Sequence, residues 1–109
     1  MTEHEYHLKV DALLLHLEQS IDEIEQVDLD YESASGILTI DFPNGSKIIV
    51  NKQPPNLQIW VATKFDGHHF DWLDDRWIDN RSGKEFWALM SEAATRQAGV
   101  EIVFGADEG

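Results

Sequence analysis

The apolar residues of this chain repeat at two different intervals, and the order of these intervals constrains the fold more than any other feature. Over residues 6–24 the apolar side chains recur every three or four positions, which predicts an amphipathic helix. Over residues 27–79 they alternate with polar residues in short runs, which predicts β-strands. The helical interval returns over residues 86–93. The order of helix, strands and helix predicts an α+β fold.

Capping signals set the expected bounds of the two helices. Thr2-x-x-Glu5 is a capping-box pattern, which predicts the start of the first helix. The same pattern at Ser82-x-x-Glu85 predicts the start of the second helix, and Gly99 is its expected C-cap.

The expected strands form a meander, because each is followed closely by turn residues and the next strand. They cover residues 27–32, 37–42, 46–53, 58–64, 68–72 and 76–79. Asn44-Gly45 is a strong signal for a tight hairpin between the second and third strands. We therefore expect a two-layer α-β sandwich, with two helices packed on one face of a six-stranded antiparallel sheet.

Length and composition exclude several classes of function. The 109 residues suffice for a single domain, 1–109, and the formal net charge of −13 disfavours nucleic acid as a partner. The absence of cysteine excludes thiolate ligation of zinc or of an iron–sulfur cluster. No apolar run approaches the ~20 residues of a membrane span, and the first residues do not resemble a signal peptide. We therefore expect a cytoplasmic protein with no membrane partner.

Ten carboxylates stand in the first 32 residues against one cation, Lys9. At 3.6 residues per turn, one stripe of the first helix carries Glu3, His7, Asp11, Glu18, Asp22 and Glu25. Neighbouring like charges on a helix cost roughly 0.2–0.5 kcal/mol per pair, and acids near a helix C-terminus oppose its dipole. This unfavourable arrangement favours a surface that binds cations or a basic protein, with a solvated, solubilising face as the alternative.

His7 lies one turn from both Glu3 and Asp11 on this stripe, and such a cluster suits divalent first-row metals. A row of ligands on a helix surface leaves water on the ion, so we expect weak binding that Ca²⁺, Mn²⁺, Fe²⁺ or Co²⁺ could occupy. The alternative is that His7 is an ordinary surface histidine near acids.

The second face of the sheet is the other candidate site. If its polar positions face solvent, Trp60 stands exposed among amides, as is typical of a protein-binding hot spot. The alternative is a tryptophan packed over the sheet face or under a loop. His68 and His69 point to opposite faces of a strand and cannot hold one ion, which leaves His69 as the candidate surface residue. No phosphate loop or nucleophile elbow is present, so catalysis has little support.

Four motifs stand out along the chain: Asn44-Gly45-Ser46-Lys47-Ile48-Ile49-Val50-Asn51-Lys52-Gln53, Gln58-Ile59-Trp60, Phe70-Asp71-Trp72, and Arg81-Ser82-Gly83 leading into Phe86-Trp87. Together with the acidic first helix and first strand, these motifs resemble the frataxins, specifically their bacterial CyaY branch, over nearly the whole chain.

The resemblance implies a compact α-β sandwich with two functional surfaces. The implied iron-binding ridge comprises Glu3, His7, Asp11, Glu18, Asp22, Glu23, Glu25, Asp28 and Asp30. The implied partner-binding sheet surface comprises Asn51, Gln53, Gln58 and Trp60, and His69 stands where eukaryotic relatives place an arginine.

The resemblance also implies a role without catalysis: a weakly iron-binding regulator of iron–sulfur cluster assembly, whose partners are the cysteine desulfurase and the scaffold protein. Its alternatives are an iron chaperone or store that delivers Fe²⁺, and an enzyme that oxidises Fe²⁺. A monomer is expected, with iron-dependent oligomerisation left open.

Overall fold

The computed structural model describes residues 1–105 and contains, within them, two α-helices and six β-strands. The elements are α1 (Glu3–Asp22), β1 (Asp30–Ala34), β2 (Ile37–Asp41), β3 (Lys47–Gln53), β4 (Gln58–Ala62), β5 (Gly67–Leu73), β6 (Arg76–Asp79) and α2 (Phe86–Ala98). Neither helix is both long enough and apolar enough to cross a membrane.

The strands form one antiparallel meander in which spatial order follows chain order from β1 to β6. Alternate residues of each central strand are buried against the helices, for example Leu38, Ile40, Ile48, Val50, Ile59, Val61 and Phe70. The other sheet face, called here the open face, carries the intervening residues. The predicted two-layer sandwich with both helices on one face is confirmed.

The first helix follows its sequence signals. The Thr2 Oγ1 accepts a hydrogen bond from the Glu5 backbone N–H at 3.0 Å, and the Glu5 Oε1 accepts one from the Thr2 backbone N–H at 2.8 Å. This confirms the capping box. The apolar stripe is buried at Tyr6, Val10 and Leu17, and the helix ends at Asp22.

The predicted capping box of the second helix is wrong, because α2 begins at Phe86 rather than just after Ser82. Glu85 is the N-cap, and its Oε1 accepts a hydrogen bond from the Ala88 backbone N–H at 3.2 Å. The Ser82 hydroxyl instead donates to the Asp79 Oδ2 at 2.6 Å. The buried carboxylate of Asp79 needs donors, and it takes the side chain that a capping box would have used.

The bounds predicted for the first strand are also wrong, because β1 starts at Asp30 rather than at residue 27 and continues to Ala34. Ala34 pairs with Ile37, which leaves a two-residue turn. Ser35 and Gly36 both have positive φ, as a tight turn between right-twisted strands requires.

The segment after α2 runs along that helix and reaches α1. The Thr95 hydroxyl donates to the Ile102 carbonyl at 3.0 Å and accepts from the Ile102 N–H at 2.9 Å, as a neighbouring strand would. The Phe104 ring is buried. The Gly105 N–H then donates to the Ser20 Oγ at 3.2 Å, which joins this segment to the first helix.

Candidate metal-binding ridge and protein-binding face

The acidic ridge begins on the exposed side of α1 and continues past the end of that helix. The predicted ridge residues lie exposed or half-buried, at Glu3, His7, Asp11, Glu18, Asp22, Glu23, Glu25, Asp28 and Asp30. The last turn of α1 contains no basic residue that would offset the helix dipole. The ridge is therefore a row of solvated carboxylates.

A lysine of β3, Lys52, lies at the N-terminal end of this ridge. The Lys52 Nζ lies 2.6 Å from the Asp11 Oδ1 and 3.1 Å from the His7 Nδ1, and its side chain is 16% exposed. An ammonium group can only donate, so the His7 Nδ1 accepts and the ring proton of neutral His7 lies on Nε2. The Nε2 atom lies 3.6 Å from the Glu3 carboxylate. Lys52 was not assigned a role from the sequence, because its contact with Asp11 and His7 depends on how β3 packs against α1.

The middle of the ridge borders the first strand at Tyr31. The Tyr31 hydroxyl donates to the Asp22 Oδ2 over 3.5 Å. Burial raises the pKa of the Tyr31 phenol, and the negative charges of Asp22 and Glu18 raise it further. The ridge carboxylates thus oppose ionisation of the neighbouring phenol, as a negative local potential does.

At the edge strand the ridge passes onto the open face of the sheet. Asp28 precedes β1, whereas Asp30 lies on the open face directly opposite Asp41 of β2. Asp41 is in turn opposite Lys47 of β3, and the two side chains form an ion pair. A hydrogen bond to Asp41 and the charge of that carboxylate raise the pKa of Lys47. The ridge and the open face are therefore continuous through Asp30.

The donor atoms of the ridge fit a divalent metal, but their arrangement does not enclose one. Carboxylate oxygens and imidazole nitrogen suit Fe²⁺ and its neighbours in the first transition row. Within residues 1–105, however, no three His, Asp or Glu side chains are gathered closely enough to form a metal site. The ridge fits an ion that keeps much of its water.

The open face brings together the five residues of the predicted partner surface. Asn51 of β3 lies opposite Trp60 of β4, and Gln53 lies opposite Gln58. Trp60 also lies opposite His69 of β5, and the two rings are stacked with centroids 4.3 Å apart and planes 13° apart. The Trp60 side chain is half-buried, which is intermediate between the two alternatives for this residue. Binding of a protein at this face stays a prediction.

A further residue of this surface, Asp71, was not assigned a role from the sequence. Its Oδ1 accepts a hydrogen bond from the Gln58 Nε2 at 2.9 Å. The Gln58 Oε1 accepts one from the Trp60 Nε1 at 2.8 Å. The signal in the sequence was its position two residues after His69, since such residues share a strand face.

His68 points to the opposite face from His69, as the strand alternation predicts. Its side chain is 14% exposed, and its ring nitrogens lie 2.8 Å from the Asp66 carboxylate and 3.1 Å from the Asp79 carboxylate. Burial opposes ionisation of Asp79, but hydrogen bonds from Ser82 and His68 outweigh it, so the pKa of Asp79 is lowered. This cluster links β5 to the loop before α2 and lies away from the open face.

Comparison with known families matches most of the chain to one of them. A family model described as a frataxin-like domain matches residues 1–100. A protein of Pseudoalteromonas atlantica named iron-sulfur cluster assembly protein CyaY is 57% identical over 104 residues, which is 95% of this chain and 95% of that protein. A protein of the same name from Colwellia psychrerythraea is 49% identical and covers 97% of this chain and 99% of its own length.

Solved structures show the same fold. A frataxin from Psychromonas ingrahamii superposes with a TM-score of 0.87 at 38% identity, over 95% of this chain and 98% of that one. A ferrous complex of trimeric frataxin from the yeast Saccharomyces cerevisiae superposes with a TM-score of 0.68 at 29% identity, over 91% of this chain and 88% of that one.

Proposed function

This chain belongs to the frataxin-like family, and from that premise we propose that it is a weakly iron-binding regulator of iron–sulfur cluster assembly. It docks on the cysteine desulfurase and its scaffold protein through the acidic ridge and the open face, and it changes the rate of cluster formation without catalysing a reaction itself. The names of its relatives and the ferrous complex of yeast frataxin support this assignment.

The observation that carries the proposal is the continuity of the ridge with the open face. Carboxylates run from α1 through Asp30 onto the sheet surface that also bears Trp60. Long-range charge steers a basic partner, whereas a central aromatic residue supplies contact energy once the partner is bound. One surface with both elements suits a basic partner that also offers apolar contacts.

Iron is a ligand of the ridge in this proposal. The carboxylates of Glu18 and Asp22 lie near the Tyr31 hydroxyl. Their oxygens are ligand atoms that Fe²⁺ accepts. At the other end of the ridge, an ion has to compete with the Lys52 ammonium for Asp11 and His7. The competition favours weak binding, and weak binding suits a regulator that senses iron better than a store that retains it.

Desulfurase-coupled cluster assembly, with and without this protein at fixed iron, tests the proposal. We expect the rate of sulfide release to change with protein concentration and to saturate when the desulfurase is occupied. A chaperone would instead show an effect that scales with the iron loaded on it. A ferroxidase would consume Fe²⁺ and oxygen catalytically in the absence of the desulfurase.

Two charge reversals make the test specific to the surface. Asp22→Lys, on the ridge, should weaken the effect on sulfide release. Glu92→Lys changes the net charge equally on α2, where Glu92 pairs with Lys84, and should leave the effect in place. Unchanged sulfide release at every concentration of the native protein and of iron would contradict the proposed function.

A further inference from the structure

Four side chains of the open face are linked in a row across β4 and β5. Gln58 and Trp60 are two residues apart on β4, and Asp71 and His69 are two residues apart on β5. Trp60 is paired with His69, and the pairing of Ile59 with Phe70 places Gln58 opposite Asp71. Hydrogen bonds join Asp71 to Gln58 and Gln58 to Trp60, and ring stacking joins Trp60 to His69.

The hydrogen bonds in this array have a fixed direction. An ionised Asp71 carboxylate can only accept, so it selects the amide orientation of Gln58 in which Nε2 faces Asp71. In that orientation Oε1 faces the indole, whose N–H can only donate. Rotation of the amide by half a turn would place two donors together at Trp60 and two acceptors together at Asp71. Asp71 therefore determines the group that the Trp60 indole meets.

The array also limits how a partner can contact Trp60. The indole N–H is already bonded to Gln58, and the His69 ring covers one indole face. The Trp60 side chain is only half-buried, so part of the ring is exposed to apolar or cation contact. A side chain that is already fixed loses less conformational entropy on binding, so orientation of the ring before binding raises affinity.

We propose that Asp71 is a positioning residue of the partner-binding face, which acts through Gln58 to hold the Trp60 indole in its binding orientation against His69. The inference rests on the proposed function for its partner, the desulfurase and scaffold complex. The array itself is a property of the free protein.

Two variants of Asp71 separate the hydrogen bond from the charge. Asp71→Asn and Asp71→Leu remove the same negative charge, but the Asn side chain retains an oxygen that accepts from the Gln58 Nε2. In the free protein, Asp71→Leu should accelerate hydrogen exchange of the Trp60 indole N–H and weaken the nuclear Overhauser effects between Trp60 and His69. Asp71→Asn should keep the slow exchange and the strong Overhauser effects of the native protein. Gln58→Leu keeps Asp71 but removes the amide that links it to Trp60. It should show the same two changes, and it serves as the test variant if Asp71→Leu folds poorly.

Partner affinity provides the second measurement, by surface plasmon resonance on the immobilised desulfurase and scaffold complex. We expect Asp71→Leu to bind about three- to tenfold more weakly, the range that one net hydrogen bond contributes, and Asp71→Asn to recover most of this loss. Equal loss in both variants would assign the effect to charge and overturn the proposal. Unchanged exchange and Overhauser effects in Asp71→Leu and Gln58→Leu would overturn it as well.

Failure of the proposed function gives a different pattern. If the native protein does not bind the complex, the partner is wrong and the binding role of Asp71 falls with it. The measurements on the free protein decide separately whether Asp71 orients Trp60.

Discussion

The Lys52 ammonium contacts both Asp11 and His7 at the N-terminal end of the acidic ridge, so a metal ion bound there would have to displace it. Lys52→Met removes this internal cation and keeps a long apolar stem against the sheet. We expect divalent ions to bind more tightly at that end of the ridge. A ¹H–¹⁵N titration with Co²⁺ should then show perturbation at His7 and Asp11 at lower metal concentration than in the native protein.

Lys47→Met is the matched control for this prediction. It removes the same charge from β3, but Lys47 pairs with Asp41 on the open face rather than with His7 or Asp11. If both variants strengthen metal binding equally, the effect arises from net charge and not from competition at Asp11.

The buried carboxylate of Asp79 makes the stability of the fold dependent on pH. Its pKa is lowered from 3.8, and its side chain is 1% exposed. A carboxylate whose folded-state pKa lies below the unfolded value stabilises the fold above that unfolded value, and this contribution is lost as the pH falls through the folded-state pKa. Asp79→Asn should therefore cost about 1–3 kcal/mol at neutral pH, and the difference from the native protein should shrink at pH values below 3.8.

Urea unfolding at a series of pH values measures this dependence. Asp66→Asn is the control, because Asp66 contacts the other ring nitrogen of His68 but its side chain is 58% exposed. A smaller loss is expected there, since water replaces the lost contact. A native advantage over Asp79→Asn that persists unchanged well below pH 3.8 would contradict the assignment.

At the scale of elements, α1 carries Glu18 and Asp22 near its C-terminus, where the helix dipole disfavours acids. Asp22 is its last residue, Glu18 lies one turn before it, and the last turn has no basic residue. Asp22→Lys relieves this repulsion and places a cation at the C-terminus, so the free energy of unfolding should rise by about 0.5–1 kcal/mol. Thermal melting and Co²⁺ titration should show a more stable protein that binds metal more weakly.

Glu5→Lys makes the same charge change at the other end of α1. It breaks the capping box with Thr2 and places a cation at the positive end of the dipole, so it should lower the melting temperature. An Asp22→Lys variant that melts at a lower temperature than the native protein, and binds metal with the same affinity, would show that the ridge is not maintained at a cost in stability.

The elements differ in how well the sequence predicts them, and the difference follows the distance over which their signals act. The capping box of α1 was predicted correctly because Thr2 and Glu5 satisfy each other locally. The start of α2 was not, because Ser82 is recruited by Asp79 of β6 and leaves Glu85 to cap the helix.

The candidate site shows the same difference between local and long-range signals. Alternation along β3 and β4 predicted that Asn51 and Trp60 have polar neighbours on one face, and the register confirms this placement. The contact of Lys52 with α1 and the hydrogen bond between Asp71 and Gln58 depend on which strands and helix become neighbours. No periodicity within one segment reports such pairings.

At the scale of the whole molecule, the net charge of −13 and the open face should act on different steps of association. Neutralisation of Asp22, Glu23 and Glu25 should mainly slow association with the desulfurase and flatten its salt dependence, because exposed charges act through the long-range field. Trp60→Ala should raise the dissociation rate, at a cost of roughly 2 kcal/mol or more, and leave the salt slope nearly unchanged.

Surface plasmon resonance at two ionic strengths distinguishes these effects. If Trp60→Ala binds as the native protein does under both conditions, the ridge alone must account for recognition.

Salt should also raise the melting temperature of the free protein, since it screens repulsion among the ridge carboxylates.

The segment that follows α2 approaches the Trp87 ring closely at Gly105. Gly105 has a φ of +69°, and a Cβ atom there would lie 2.7 Å from the Trp87 Cδ2. Gly105→Ala should therefore destabilise the fold by more than backbone strain alone. Gly99→Ala is the control, because Gly99 has a φ of +77° but open space around the added atom. We expect urea unfolding to show a further loss of about 1–3 kcal/mol at Gly105, and equal losses would contradict the close approach.

The hydrogen bond between Gly105 and Ser20 spans 85 positions of the chain, and this separation has a consequence for synthesis on the ribosome. The helix that emerges first cannot complete its packing until the last described residues have followed. At about 5–20 residues per second, translation needs roughly 4–17 seconds to add the residues between Ser20 and Gly105. Until the sheet and the second helix have followed, Tyr6, Val10 and Leu17 lack the partners that bury them, so factors that bind nascent chains meet the first helix first.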